Sequence, residues 1–215
     1  MEIINKQIEL NDYKENEITI DSTKDSELVI LNNNNILNMT INLLDSSTLI
    51  INELQEDYQN NKIITINIYN NSTLIYNLSN ITKNGSNTQI KINFKGQNSR
   101  IETNIHSLVS GHEYIKIVGN IENDYQNNEL LENVKVILTN NGTCEIVPDM
   151  LIDTNLVVAN HKVAISYLRD NDLFYLMSKG ISRKKSEELI KKSFLLSNLS
   201  NKKLKEKITK FDWGE

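Results

Sequence analysis

Residues 38–52 read NMTINLLDSSTLIIN and residues 64–77 read ITINIYNNSTLIYN. In both stretches apolar side chains occupy every second position, a polar corner follows, and a second short apolar run begins with Ser-Thr-Leu-Ile. Met39, Ile41 and Leu43 return 25 residues later as Ile64, Ile66 and Ile68. They return again 26 residues on as Ile90, Ile92 and Phe94 in QIKINFKGQNSRIE (89–102), and a further 25 residues give Ile115 and Ile117 in YIKIVGN (114–120). The second run repeats in step, as Leu49 and Ile51, then Leu74 and Tyr76, then Ile101.

Alternation with period two places one face of each strand inward. A spacing near 25 places equivalent strands above one another in successive coils. A single coil cannot bury its own apolar face, whereas stacked neighbours supply both hydrogen-bonding edges and side chains above and below. A β-sandwich also alternates, but its strands recur at roughly 8–12 residues without matched identity at a longer period. The expected fold is therefore mostly β, a parallel β-helix (solenoid) over residues 1–168, followed by a C-terminal α-helical segment over residues 169–215. IENDYQNNELLEN (121–133) is acidic and reads as an excursion that breaks the ladder, with strands resuming at Val134, Val136 and Leu138. In the last coil, MLIDTNLVVANHKVAISYL (150–168), Leu156 and Val158, with Val163 and Ile165, are expected to face inward.

The apolar fraction, 39% of 215 residues, suits a narrow core. Asparagine makes up about one residue in six, against a few per cent in an average chain. With abundant Ile and Lys this reads first as codon bias, and Asn also tolerates the left-handed corners that such a fold needs. One cysteine, Cys144, excludes an internal disulfide framework and suits a reducing compartment. The N-terminal stretch has no basic and then apolar signal pattern, and no apolar run approaches a membrane span. The chain reads as cytoplasmic. Between Arg183 and Lys210 stand ten Lys/Arg and three Asp/Glu, against thirteen and twenty-five in the remainder. An acidic body with a basic tail argues against a nucleic-acid groove through the body.

In RDNDLFYLMSKGIS (169–182), Asp170 and Asn171 are placed to cap a helix that stops at Gly180. Ser182 opens a second helix with Leu189, Ile190 and Phe194 on one stripe, and Leu204, Ile208 and Phe211 mark a third. The first helix is expected to seal the last rung. The later two have too little solenoid beside them to bury every stripe, so they are expected to offer apolar faces to a partner.

The string VPDMLIDTNLVVANHKVAISYLRDNDLFYLMSKGIS (147–182) resembles the C-terminal core of the SufB/SufD family of iron–sulfur cluster assembly scaffolds. The resemblance rests on Pro148, Asp153, His161, Ala164 (one place later than usual), the run Leu173-Phe174-Tyr175-Leu176 and the run Ser178-Lys179-Gly180-Ile181. It implies a β-helix subunit that pairs with another scaffold chain, SufB-like or identical, and whose C-terminal helices dock a SufC-like ABC ATPase. Phe174, Tyr175, Leu189, Ile190 and Phe194 are the docking candidates. No firmly bound cofactor is implied, but a nascent iron–sulfur cluster would form transiently at the subunit interface, near His161. SufB-like members carry a glutamate just after this histidine and a cysteine about 28 residues before it. Lys162 and Asn133 stand at those places here, so the resemblance implies a SufD-like rather than a SufB-like member.

As neutral imidazole, His161 is a competent iron ligand. Cys144 is a weaker cluster candidate, since one thiolate cannot build a closed site within one chain. His106 and His112 fit no compact zinc spacing. The chain is not expected to be an enzyme. It lacks a Gly-x-x-x-x-Gly-Lys-Ser/Thr phosphate loop, and its acidic residues are scattered rather than paired as a polysaccharide-active β-helix would need. That enzyme, or a purely structural repeat protein, is the alternative reading. No nucleic acid and no membrane is expected as a partner.

Overall fold

The computed structural model describes residues 2, 3, 7–10, 17–21, 25–32, 38–56, 61–122, 124–211 and 213. Among the described residues, fourteen strands and three helices follow in order. The strands are β1 (Glu2–Ile3), β2 (Gln7–Leu10), β3 (Glu17–Ile20), β4 (Asp25–Asn32), β5 (Asn38–Leu43), β6 (Thr48–Glu56) and β7 (Asn61–Ile68). They continue as β8 (Thr73–Thr82), β9 (Gly85–Phe94), β10 (Arg100–Val109), β11 (His112–Ile121), β12 (Asn128–Leu138), β13 (Thr143–Ile152) and β14 (Val157–Tyr167). The helices are α1 (Asp170–Ser178), α2 (Arg183–Leu196) and α3 (Lys202–Lys210).

Odd-numbered strands form one seven-stranded sheet and even-numbered strands the other, each in chain order and parallel throughout. Each coil thus contributes one strand to each wall, and the molecule is the expected parallel β-solenoid. Columns of like side chains run along the axis between the walls. In one, Ile18, Ile41, Ile66 and Ile92 stand in register; in another, Ile20, Leu43, Ile68, Phe94 and Ile121 do. All of them are buried. Each buried Ile or Leu contributes roughly 1.5–3 kcal/mol through the hydrophobic effect, so a thin core is sufficient because every coil repeats it.

The period drifts, and two expectations change with it. Ile90 pairs with Ile117 rather than Ile115, a spacing of 27, because the corner 95–99 is one residue longer than the corner 69–72. Ile115 instead pairs with Thr88. The acidic excursion shrinks to the corner 122–127. β12 already begins at Asn128, with Leu130 and Glu132 buried in the continuing ladder.

Gly119 occupies the place in the column where Ile92 stands one coil earlier. A Cβ there would lie 2.2 Å from Leu130 Cδ2 of the opposite wall, so glycine makes room for that leucine.

Asparagine has structural work beyond codon bias. Four successive corners leading from the odd to the even sheet, from β5–β6 to β11–β12, each carry a residue with φ between 55° and 58°: Ser46, Asn71, Asn98 and Asn127. Asn accepts this left-handed conformation at little cost. The corner amides also stack, Asn98 Nδ2 donating to Asn71 Oδ1 at 3.3 Å and Asn127 Nδ2 to Asn98 Oδ1 at 3.2 Å. Further ladders run up the outer faces, Asn93 to Asn67 to Asn42 on the odd sheet and Asn133 to Asn104 to Asn77 on the even sheet.

The helices reverse the roles expected of them. α2 and α3 lie on the outer face of the even sheet, where Leu195, Leu199, Leu204 and Ile208 join Val29, Leu54, Ile81 and Leu108 in a second buried cluster. Polar contacts fix the seat: Ser79 Oγ donates to the Leu195 carbonyl at 3.1 Å, and Asn198 Nδ2 to the Leu78 carbonyl at 2.8 Å. α1, by contrast, buries Leu173 and leaves Phe174 and Tyr175 each 64% exposed. It does not seal the last rung. Asp170 and Asn171 lie inside its first turn, and the N-cap position is Arg169, without a side-chain cap. Its end is as expected. Gly180 adopts φ 84°, its N–H reaches the Met177 carbonyl at 2.9 Å and that of Ile181 the Leu176 carbonyl at 3.3 Å, which is a Schellman cap. Ser182 caps α2 and Asn201 caps α3, each accepting a backbone N–H three residues on.

Candidate functional site

The solenoid ends at β13 and β14, the last strands of the two sheets. Register assigns the direction of every side chain there. Val157, Ala159, His161, Val163 and Ile165 continue the inward columns of Asn128, Leu130, Glu132, Val134 and Val136. Val163 and Ile165 therefore have the expected inward parity, yet both are exposed because no further coil covers them. Leu156 and Val158 were expected inside and are not: Val158 pairs with outward-facing Glu129, and both are more than half exposed. The end of the stack is an open, largely apolar rim, with Tyr167 and Leu151 also exposed.

His161 caps a column that changes character along the axis. Leu28, Ile51, Tyr76, Thr103, Glu132 and His161 stand in register, apolar at one end and polar at the other. Glu132 is buried with neither carboxylate oxygen hydrogen-bonded among the described residues. Burial, and then the charge of Asp149, pushes its carboxyl up to about 7. Cys144 pairs with Glu113 on the odd sheet. Glu113 is fully buried, accepts from Asn80 Nδ2 and from Ser107 Oγ (3.1 Å), and is pushed up to about 7 by burial. Burial, and secondarily Glu113, raises the Cys144 thiol, so it is held in its less nucleophilic form.

The structure does not gather these groups into a metal centre. Among the described residues no three of His, Cys, Asp and Glu are arranged to hold a metal ion. His161 is exposed and Cys144 half-buried, each beside a buried carboxylate from the coil below. The carboxylates escaped the sequence reading. Their signal was a glutamate at an inward position of an alternating strand, visible at Glu132 between Leu130 and Val134.

The five docking candidates divide. Phe174 and Tyr175 project from α1 into solvent. Leu189, Ile190 and Phe194 line a groove of about 510 Å³ between α1 and α2, together with Leu176 and Ile137. Phe194 also holds α2 to the solenoid. Its ring stacks on His106 at 4.6 Å, and its carbonyl lies 2.8 Å from His106 Nδ1. Burial lowers the His106 pKa, and its stacking and hydrogen bond to Phe194 make this imidazole a packing element.

Residues 131–194 match the SufBD core domain of the SUF system for iron–sulfur cluster assembly. The match supports the SufB/SufD family, and with it a role in SUF cluster assembly. It spans most of β12 and continues through β13, β14 and α1 into α2, and so includes Cys144, His161 and all five docking candidates. A comparison with curated proteins finds no match. No described helix is long and apolar enough to cross a membrane.

Proposed function

We propose that the chain is a non-catalytic, SufD-like scaffold subunit of a SUF-type iron–sulfur cluster assembly complex. The open rim at β13 and β14 receives a second scaffold chain, SufB-like or identical. The α1–α2 surface docks a SufC-like ABC ATPase. One observation carries the reading. Among the described residues, every large apolar side chain left exposed lies between Leu151 and Leu189, inside the span that matches the SufBD core. Apolar exposure confined to one segment marks an interaction surface.

The two surfaces use different elements and adjoin, since Ala164, Ser166 and Tyr167 of β14 share a concavity with Asp172, Ile190 and Phe194 of the helices. Val163, Ile165 and Tyr167 belong to the rim, whereas Phe174, Tyr175 and Leu189 belong to the helices. A nascent cluster arriving at the rim would meet exposed His161 before half-buried Cys144. Absence of the SufB-type cysteine and glutamate, with Asn133 committed to an asparagine ladder, supports the SufD-like assignment. A glycan-active enzyme is less well supported, because the perturbed carboxylates Glu113 and Glu132 face the lumen rather than a solvent-facing strand.

The test is co-expression with a SufC-like ATPase and a SufB-like chain from the same organism. The pair Phe174→Asp and Tyr175→Asp should cut ATPase recovery about tenfold and leave scaffold pairing intact. The pair Val163→Asp and Ile165→Asp should do the reverse. Wild-type recovery of both partners by both variants would sink the proposal.

A further inference from the structure

A second cleft lies on the other flank of α2 and shares no lining residue with the groove between α1 and α2. Its volume is about 560 Å³, within the range of small-molecule sites. Its floor is apolar, made by Ile81 and Leu108 of the even sheet. One wall is aromatic: Phe211 and Trp213 meet edge to face with centroids 4.9 Å apart. The indole Nε1 is buried and has no hydrogen-bond partner among the described residues, although an indole N–H in such a place normally donates to an acceptor.

The remaining lining is polar, with three lysines against one glutamate. Lys184 and Lys191 stand two turns apart on α2, whose ion pairs among the described residues are made by Arg183, Lys185 and Lys192 instead. Glu187, which also lines the cleft, is engaged by Arg183 at 3.1 Å. Lys83 enters from the solenoid, its Nζ 5.3 Å from the centre of the Phe211 ring. Two solenoid strands, one helix and the C-terminal tail thus converge on one concavity that has flat apolar surfaces and positive charge. That combination suits a ring bearing an acidic group and is poorly matched to a neutral or cationic ligand.

We propose that this cleft binds a small aromatic anion, phosphorylated or carboxylated, with its ring against Phe211 and Trp213 and its acidic group facing Lys184 and Lys191. The proposal is independent of the scaffold assignment, since it uses neither the rim nor the α1 surface.

Isothermal titration calorimetry on the full chain tests it with three probes: 1-naphthyl phosphate, 1-naphthol and inorganic phosphate. Naphthyl phosphate should bind at least about tenfold more tightly than either part alone, and the K184Q/K191Q variant should lose about tenfold in its affinity. Both lysines are at the surface of α2, so the variant should keep the wild-type melting temperature. A Trp213→Leu variant should weaken naphthyl phosphate while leaving the weak phosphate affinity unchanged. No binding of naphthyl phosphate, or binding indifferent to the lysine pair, would overturn the assignment. So would tighter binding of a hexaglutamate peptide, which would mark the cleft as a protein contact.

Discussion

His161 stands in register with Glu132 across the β12–β14 ladder, so an exposed imidazole at the end of the solenoid lies next to a buried carboxyl that has no hydrogen-bond partner among the described residues. The same arrangement occurs on the other wall, where half-buried Cys144 lies next to Glu113. Both carboxyl groups, buried in the coil beneath the rim, are raised by that burial and make the fold sensitive to pH.

The sign of that response follows from the carboxyls' environment. Burial raises Glu113 from an ordinary 4.5 to about 7 in the folded chain. Between those values the folded state holds a proton that the unfolded state has lost, so stability falls as pH rises through the interval. For Glu113 the loss by pH 8 is about 3 kcal/mol. Glu132 shifts in the same direction, from burial and then Asp149. Urea midpoints should therefore drop from pH 5 to pH 8 in the wild type, and Glu113→Gln should flatten the drop and gain stability at pH 8. An unchanged slope in the variant would remove Glu113 from the account.

Gly119 and Leu130 report on the inter-wall packing. Gly119→Val places a side chain where Leu130 Cδ2 already lies and should destabilise by about 1–3 kcal/mol. Adding Leu130→Ala should recover part of that loss, because the two side chains compete for one space. Chemical denaturation of the single and double variants measures the coupling.

The corner asparagines can be tested for conformation apart from hydrogen bonding. Asn98 sits at φ 58° between the amides of Asn71 and Asn127. Asn98→Ala should cost roughly 1–2 kcal/mol. Asn98→Gly, which adopts the same φ freely, should recover most of it if conformation dominates. Equal losses for both variants would assign the cost to the amide ladder instead.

The packing of the helices predicts a contrast between α2 and α1. Leu195 is fully buried against the even sheet, so Leu195→Ala should cost about 2–5 kcal/mol. Phe174 is exposed, and Phe174→Ala should change stability by less than about 0.5 kcal/mol. Thermal denaturation of both variants decides between this arrangement and one in which α1 seals the stack.

The solenoid was legible because its physics is periodic. Met39, Ile64 and Ile90 announce their column in the sequence, and the structure keeps it. Register failed where corners changed length, since nothing in YIKIVGN tells whether Ile115 or Ile117 sits over Ile90. The helix roles failed for a different reason. An outer sheet face carrying Val29, Leu54, Ile81 and Leu108 is spread over four coils, so it does not appear as a stripe in any local window. The rim's inward parity at Val163 and Ile165 was readable, but their exposure was not, because alternation says which way a side chain points and not whether another coil covers it. Cys144 was singled out by its chemistry and His161 by its place in the SufB/SufD-like string, while the carboxyls beside them required the register.

The open end of the stack is proposed to receive another scaffold chain. Hydrogen–deuterium exchange across Val157–Tyr167, with and without a SufB-like chain, tests it most directly. Strong protection of β14 amides is expected in the complex, centred on Val163–Tyr167, with little change in β8 or β10. Exchange in β14 that is the same in the free and complexed chain would contradict it.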